Sequence, residues 1–146
     1  DAIAWPSLRD ALEHLRAGRS VAFPGQGTGL AQRDPNVREI GPTRLVIVEG
    51  HLLYVDAPMQ AMIDLKAFLD CDPEERVLRR IRRDTTTSGR TIEQSLEWYL
   101  RDVQPNNRHY VEWQRAHADL VIPHDRENPS AVAFVADAIL GRLARE

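Results

Sequence analysis

Six arginines fall within the fifteen residues from Arg76 to Arg90, and such a density repels itself unless acids or bound anions neutralise it. On a helix Arg76, Arg79, Arg80 and Arg83 share one broad face, while Thr85 to Gly89 reads as a flexible turn before the next helix. Forked guanidiniums on a mobile segment suit phosphate oxygens and the charge that develops during phosphoryl transfer. The competing reading is an exposed face paired with Asp72, Glu74, Glu75 and Asp84. Glu49 is the second candidate. It closes the apolar run Leu45-Val46-Ile47-Val48, and open α/β sheets bind ligands beyond the carboxyl ends of their strands. An acid there can hold Mg²⁺ together with phosphate oxygens, with a solvated strand-end acid as the alternative.

Other chemistry is weakly signalled. Gly25-Gln26-Gly27-Thr28-Gly29 invites comparison with a phosphate-binding loop, but no Lys-Ser or Lys-Thr follows, so the P-loop pattern is not met and a plain turn is the better reading. Lys66 is the only lysine, so a mechanism that needs a lysine at a loop uses Lys66 or finds one outside this chain. The histidines at 14, 51, 109, 117 and 124 show no metal-ligand spacing with each other or with Cys71. Trp98 and Tyr99, on a long helix, read as core residues that would stack on a base only if they faced a cleft.

The elements that must carry these residues alternate in type. Leu8, Leu12 and Leu15 recur at helical spacing between Ser7 and Arg16, with Gly18 as the stop. Ser20 to Phe23 reads as a short strand broken by Pro24, followed by a polar loop to Pro42. Leu45–Val48 and Leu65–Leu69, the latter ending at Asp70, have the unbroken apolar pattern of strands buried on both faces; Leu120–Ile122 is a further short strand. Helices are predicted over Pro73–Arg83, from Ile92 to about Ala116, and over Ala131–Leu143. This order predicts one α/β domain over residues 1–146, with a mostly parallel sheet flanked by helices.

Composition narrows the class. At 146 residues, 42% hydrophobic and 28% charged, the chain has the profile of an ordinary globular domain. A net charge of −3 gives no global attraction to nucleic acid or anionic lipid, so any anion site is local. No apolar run approaches membrane-spanning length. The lone Cys71 excludes an intrachain disulfide and fits a reducing cytoplasmic setting. A start at Asp1 without methionine is expected of a piece whose preceding segment has been removed.

Val46-Ile47-Val48-Glu49-Gly50, Leu65 to Asp70, Arg76 to Arg90, then Tyr99, Val103 and Pro105, and finally Ala118 to Pro123 with Glu127-Asn128 closely resemble the uridine kinase family in order and spacing, over nearly the whole chain. The resemblance implies a P-loop kinase-like fold whose N-terminal P-loop unit is missing, ATP as phosphate donor, Mg²⁺ as cofactor and a nucleoside-like acceptor, with association into a homo-oligomer left open. It implies that Glu49 contributes to the magnesium site and that Arg80, Arg83 and Arg90 lie on a lid, about residues 76–91, that closes over nucleoside and phosphates. Arg33 matches a substrate-binding arginine. Gln26, Gly27 and Ala31 stand where the family has a tyrosine, an aspartate and a histidine, and Ala4 and Ser88 replace an aspartate and a lid arginine. Another nucleoside, a vitamin riboside or a different small alcohol is therefore as open as uridine. The alternative is a binding or regulatory module that keeps the fold without catalysis.

Overall fold

Residues 3–25, 29–33, 36 and 38–145 are described by the structure, a computed structural model. Gln26, Gly27 and Thr28 of the glycine-rich loop lie outside the described residues. The chain divides into two compact units, residues 1–62 and 63–146.

In the first unit the leucine spacing produces helix α1, Trp5–Arg16, with Pro6 in its first turn and Leu15 buried. Gly18 ends it with a φ of 74°, a left-handed conformation that a side chain would oppose. Strand β1, Val21–Phe23, pairs antiparallel with β2, Arg38–Ile40, and Val21 lies opposite Ile40. A short helix α2, Gly29–Arg33, lies between them in sequence. Helix α3, Ala57–Met62, is capped by Asp56, whose carboxylate accepts the Met59 N–H at 2.8 Å. The same carboxylate accepts both hydrogen bonds from Arg9 Nη1 on α1, at 2.6 and 2.7 Å. Arg16, at the other end of α1, donates to the Met62 carbonyl at 2.6 Å. Leu15, Leu53, Tyr54 and Met59 form the buried apolar cluster of this unit.

Two expectations fail here. Leu45–Val48 is not a strand: no ladder runs through it, and Ile47 is 80% exposed. An apolar run becomes a strand only where another backbone supplies hydrogen bonds, and none of the described residues does so. Among the described residues no larger, mostly parallel sheet forms; the strands make one antiparallel and one parallel pair.

The parallel pair belongs to the second unit. Strand β3, Ala67–Asp70, runs beside β4, Leu120–Pro123, with Ala67 opposite Leu120 and Asp70 opposite Pro123. The ladder is extended at both ends, where the Asp119 N–H donates to the Lys66 carbonyl at 2.8 Å and the His124 N–H to the Asp70 carbonyl at 2.7 Å. Helix α4, Pro73–Thr87, follows β3. Asp72 caps it by accepting the Glu74 N–H at 2.8 Å, and Glu74 and Glu75 complement the positive end of its dipole. The helix runs further than predicted. Thr85 and Thr86 belong to its last turn rather than to a flexible loop, and their hydroxyls donate to the Ile81 and Arg82 carbonyls at 2.9 and 2.7 Å. Gly89, with φ 65°, makes the turn that leads into α5, Ile92–Trp98. Thr91 and Gln94 close a reciprocal capping box at its start.

Helical structure continues to His117 with unusual turns. Wide π-type turns span Tyr99–Val103 and Asn107–Val111, on either side of the single α-turn α6, Gln104–Asn106. Pro105 sits between them and cannot donate to the regular ladder, which accounts for the widening there. A 3₁₀ segment, Glu112–His117, leads to β4, and α7, Pro129–Leu143, completes the chain. Asn128 caps α7 by accepting the Ala131 N–H at 3.2 Å. No described helix is long and apolar enough to cross a membrane.

Candidate functional site

The arginine face of α4 separates into two sets with different surroundings. Arg76 donates to the Asn107 amide oxygen at 2.9 Å. Arg79 donates to Glu75 at 2.8 Å, to the His124 carbonyl at 2.9 Å and to the Asp125 carbonyl. These two tie α4 to the second π-type turn and to the segment after β4; of the acids that the structural reading of the face names, only Glu75 meets either of them.

Arg80, Arg83 and Arg90 are different. Among the described residues none of their guanidiniums makes a hydrogen bond, and all three surround Asp84. That residue is only 3% exposed. Its carboxylate lies 3.5 Å from Arg80 Nε, 3.5 Å from Arg83 Nε and 3.9 Å from Arg90 Nη1. These are ion pairs without hydrogen-bond geometry, and both Arg80 Nε and Asp84 Oδ2 are buried polar atoms with no hydrogen-bond partner. Unsatisfied buried groups are rare in folded proteins and are met by a water, an ion or a ligand where they occur, or mark strain or a catalytic role. Three guanidiniums against one carboxylate leave two positive charges uncompensated. Burial, reinforced by Arg83 and Arg90 and opposed by Asp84, pulls the Arg80 pKa below its usual value, yet arginine stays charged at neutral pH.

Arg90 reaches this cluster through the backbone. The Asp84 carbonyl accepts the Ser88 N–H at 3.1 Å and the Arg90 N–H at 3.3 Å, so the turn at Gly89 folds Arg90 back toward α4. Trp98 on α5 completes the arrangement, its ring centre lying 4.0 Å from Arg80 Cζ and 4.1 Å from Arg90 Cζ. Asp84 entered the sequence reading only as a neutralising partner, and Trp98 as a core residue or a platform for a base, not as a partner of arginines. The available signal was the spacing of Asp84, four residues after Arg80 and next to Arg83, which makes it the one acid able to meet both.

The remaining candidates are carried by other segments. Glu49 is exposed, lies in the extended segment before the turn at His51–Val55, and makes no hydrogen bond or ion pair with the described residues. A Cβ at Gly50 beside it would meet the Leu53 side chain at an ordinary contact distance of 3.5 Å. Its unpaired carboxylate has the hard oxygen chemistry of a magnesium ligand, although no group of three metal-binding side chains gathers among the described residues. Arg33 is exposed at the end of α2. Lys66 is engaged elsewhere: its Nζ lies 3.5 Å from Asp119, and its N–H donates to that carboxylate at 2.8 Å. A cavity of about 820 Å³ opens beyond the carboxyl end of β4, lined by Pro123, Asp125, Arg126, Asn128 and Ser130 among others, with the bonds from Arg79 fixing its rim.

The pattern of the Phosphoribulokinase / Uridine kinase family matches residues 1–131. A uridine kinase of Chloroflexus aurantiacus is 34% identical over 143 residues, covering 98% of this chain and 68% of that protein. A uridine kinase of Deinococcus deserti is 32% identical over 94% of this chain and 67% of its own length. Uridine kinase-like protein 5 of Arabidopsis thaliana is 30% identical over 99% of this chain, which spans 31% of that longer protein. With the match extending across both units, the chain belongs to the phosphoribulokinase/uridine kinase family.

Proposed function

We propose that the protein transfers the γ-phosphoryl group of ATP to a hydroxyl of a small nucleoside-like acceptor, and that Arg80, Arg83 and Arg90 meet the phosphates. The observation that carries this reading is the set of three charged guanidiniums around the buried Asp84, ion-paired with it but, among the described residues, making no hydrogen bond. In the transfer the acceptor oxygen bonds to the γ-phosphorus, the bond to the bridging oxygen breaks, and the hydroxyl proton passes to a general base. Preformed donors aimed at the phosphoryl oxygens stabilise the charge that builds up there without reorganising during the step. Arginine is suited to this because its planar fork fits two oxygens at once.

Magnesium, when bound, neutralises charge on the donor phosphates, and Glu49 would hold it directly or through water. Arg33 is assigned to the acceptor. The cavity beyond β4 is where we place part of the donor nucleotide, because parallel sheets bind ligands at that end. Acceptor identity stays at the level of a nucleoside-like alcohol, since Gln26, Gly27 and Ala31 differ from the pyrimidine-contacting pattern and Ala4 and Ser88 replace a ribose-holding aspartate and a lid arginine.

A non-catalytic binding module is the second reading, favoured by the engagement of Lys66, the only lysine, with Asp119. One assay separates the two. The natural full-length protein, given MgATP and a panel of nucleosides and ribosides, should yield a phosphorylated acceptor. Binding of MgATP with no product from any acceptor would overturn the kinase reading in favour of the module.

A further inference from the structure

Three arginines that meet phosphates must be kept together before any phosphate arrives, against their mutual repulsion. Resting on the phosphotransferase reading of those arginines, we propose that Asp84 and Trp98 are positioning residues that preform a two-arginine clamp, Arg80 and Arg90, for a polyphosphate chain. Asp84 acts twice. Its carboxylate neutralises part of the cluster from a buried position, and its carbonyl receives the Arg90 N–H at 3.3 Å, so the main chain that carries Arg90 is set by the same residue. Its distances of 3.5 to 3.9 Å to the guanidiniums are those of attraction without hydrogen bonding. The N–H forks therefore stay free for shorter, charge-assisted bonds to phosphate oxygens.

Trp98 supplies what a second carboxylate would not. Its ring attracts both cations through its electron-rich face yet accepts none of their strong hydrogen bonds and adds no negative charge to repel an incoming anion. With each guanidinium carbon about 4 Å from the ring centre, the two stand at most about 8 Å apart. One chain of adjacent phosphoryl groups can engage both. With Arg83 beside the clamp the cluster carries a two-charge excess over Asp84, of which a lone monoanion could use only part, so the clamp selects a polyphosphate.

The test uses the natural full-length protein with sodium tripolyphosphate as the binding probe and MgATP for turnover. Trp98→Leu should weaken tripolyphosphate binding roughly five- to tenfold with the melting temperature within about 2 °C of the parent. Trp98→Phe, which keeps a ring face, should recover most of the affinity. In the parent, tripolyphosphate should change tryptophan emission saturably, and this change should vanish in Trp98→Phe although Trp5 and Trp113 remain. Asp84→Asn should leave tripolyphosphate affinity no weaker than the parent, because it removes a negative charge, yet lower kcat at least about tenfold by releasing the arginines. Equal affinity in Trp98→Leu and parent overturns the role of Trp98, as does a flat emission titration of the parent, which needs no variant to fold. Weaker binding by Asp84→Asn with unchanged kcat overturns the role of Asp84. If the parent makes no phosphorylated product but binds tripolyphosphate through Trp98, the kinase reading falls and the clamp stands. If turnover is present and these variants bind and turn over as the parent does, the clamp falls and the kinase reading stands.

Discussion

Replacing Asp84 by alanine should destabilise the protein far more than replacing any one of its arginine partners that faces solvent. The carboxylate is 4% exposed and Arg80 19%, so the substitution leaves a largely buried guanidinium without its counter-charge. Breaking a buried ion pair from one side costs about 3–5 kcal/mol. The lower end applies here. No hydrogen bond is lost at the carboxylate, and Arg83 and Arg90, 64% and 41% exposed, are screened enough that each pair contributes less than ~1 kcal/mol. We therefore expect a loss of about 3 kcal/mol, equivalent to a fall in melting temperature of roughly 6–12 °C for a protein of this size class. In urea the midpoint should drop by about 1.5 M at an m-value near ~2 kcal/mol/M, with the m-value unchanged. Adding Arg80→Met to Asp84→Ala removes the stranded charge and should restore more than about 1 kcal/mol relative to the single variant, a coupling typical of groups in one network. A loss below about 1 kcal/mol for Asp84→Ala, or no recovery in the double variant, would show that Asp84 and Arg80 are not a buried couple.

The other expectations concern activity, acid stability and association. Arg83→Ala should change stability by no more than about 0.5 kcal/mol while raising the barrier to turnover by roughly 2.7–4 kcal/mol, about a hundredfold or more in rate. Arg83→Lys should rescue only part of that rate, and parallel losses of stability and activity on melting and steady-state assays would make Arg83 merely structural. The Lys66 N–H, as main cause, and the Lys66 ammonium hold the Asp119 carboxyl below its ordinary pKa. A carboxyl depressed by folding stabilises the protein above its unfolded pKa, and that contribution is lost as pH falls below about 4. Asp119→Asn should therefore show a shallower loss of stability between about pH 4 and pH 2 in acid unfolding monitored by circular dichroism. Residues 1–146 expressed by themselves should melt poorly or associate, because Leu45, Val46 and Ile47 expose apolar side chains on a segment that joins no strand ladder among the described residues. A sharp melt independent of concentration would refute this.

Local elements governed by short-range rules were legible in the sequence. The leucine spacing of α1, the Pro73 start of α4 and the apolar runs at 65–69 and 120–122 each depend on neighbours within a turn or on a short unbroken apolar stretch. The family order of motifs and the arginine-rich segment could also be read directly. Leu45–Val48 could not be settled this way, because apolar composition encodes a preference for burial whereas a strand requires a second backbone to bond with. Arg38–Ile40 became a strand despite lying in a polar loop, because Val21–Phe23 offered it a ladder. The division of the arginines was likewise beyond sequence. Helical spacing places Arg76, Arg79, Arg80 and Arg83 on one face, but only the folded chain decides that Asn107, His124 and Asp125 supply oxygens to the first two. The same fold turns Gly89 so that Arg90 joins Arg80 at Asp84 and Trp98. Periodicity reports which side chains face the same way; which oxygen, carboxylate or ring they meet is decided by segments distant in the chain.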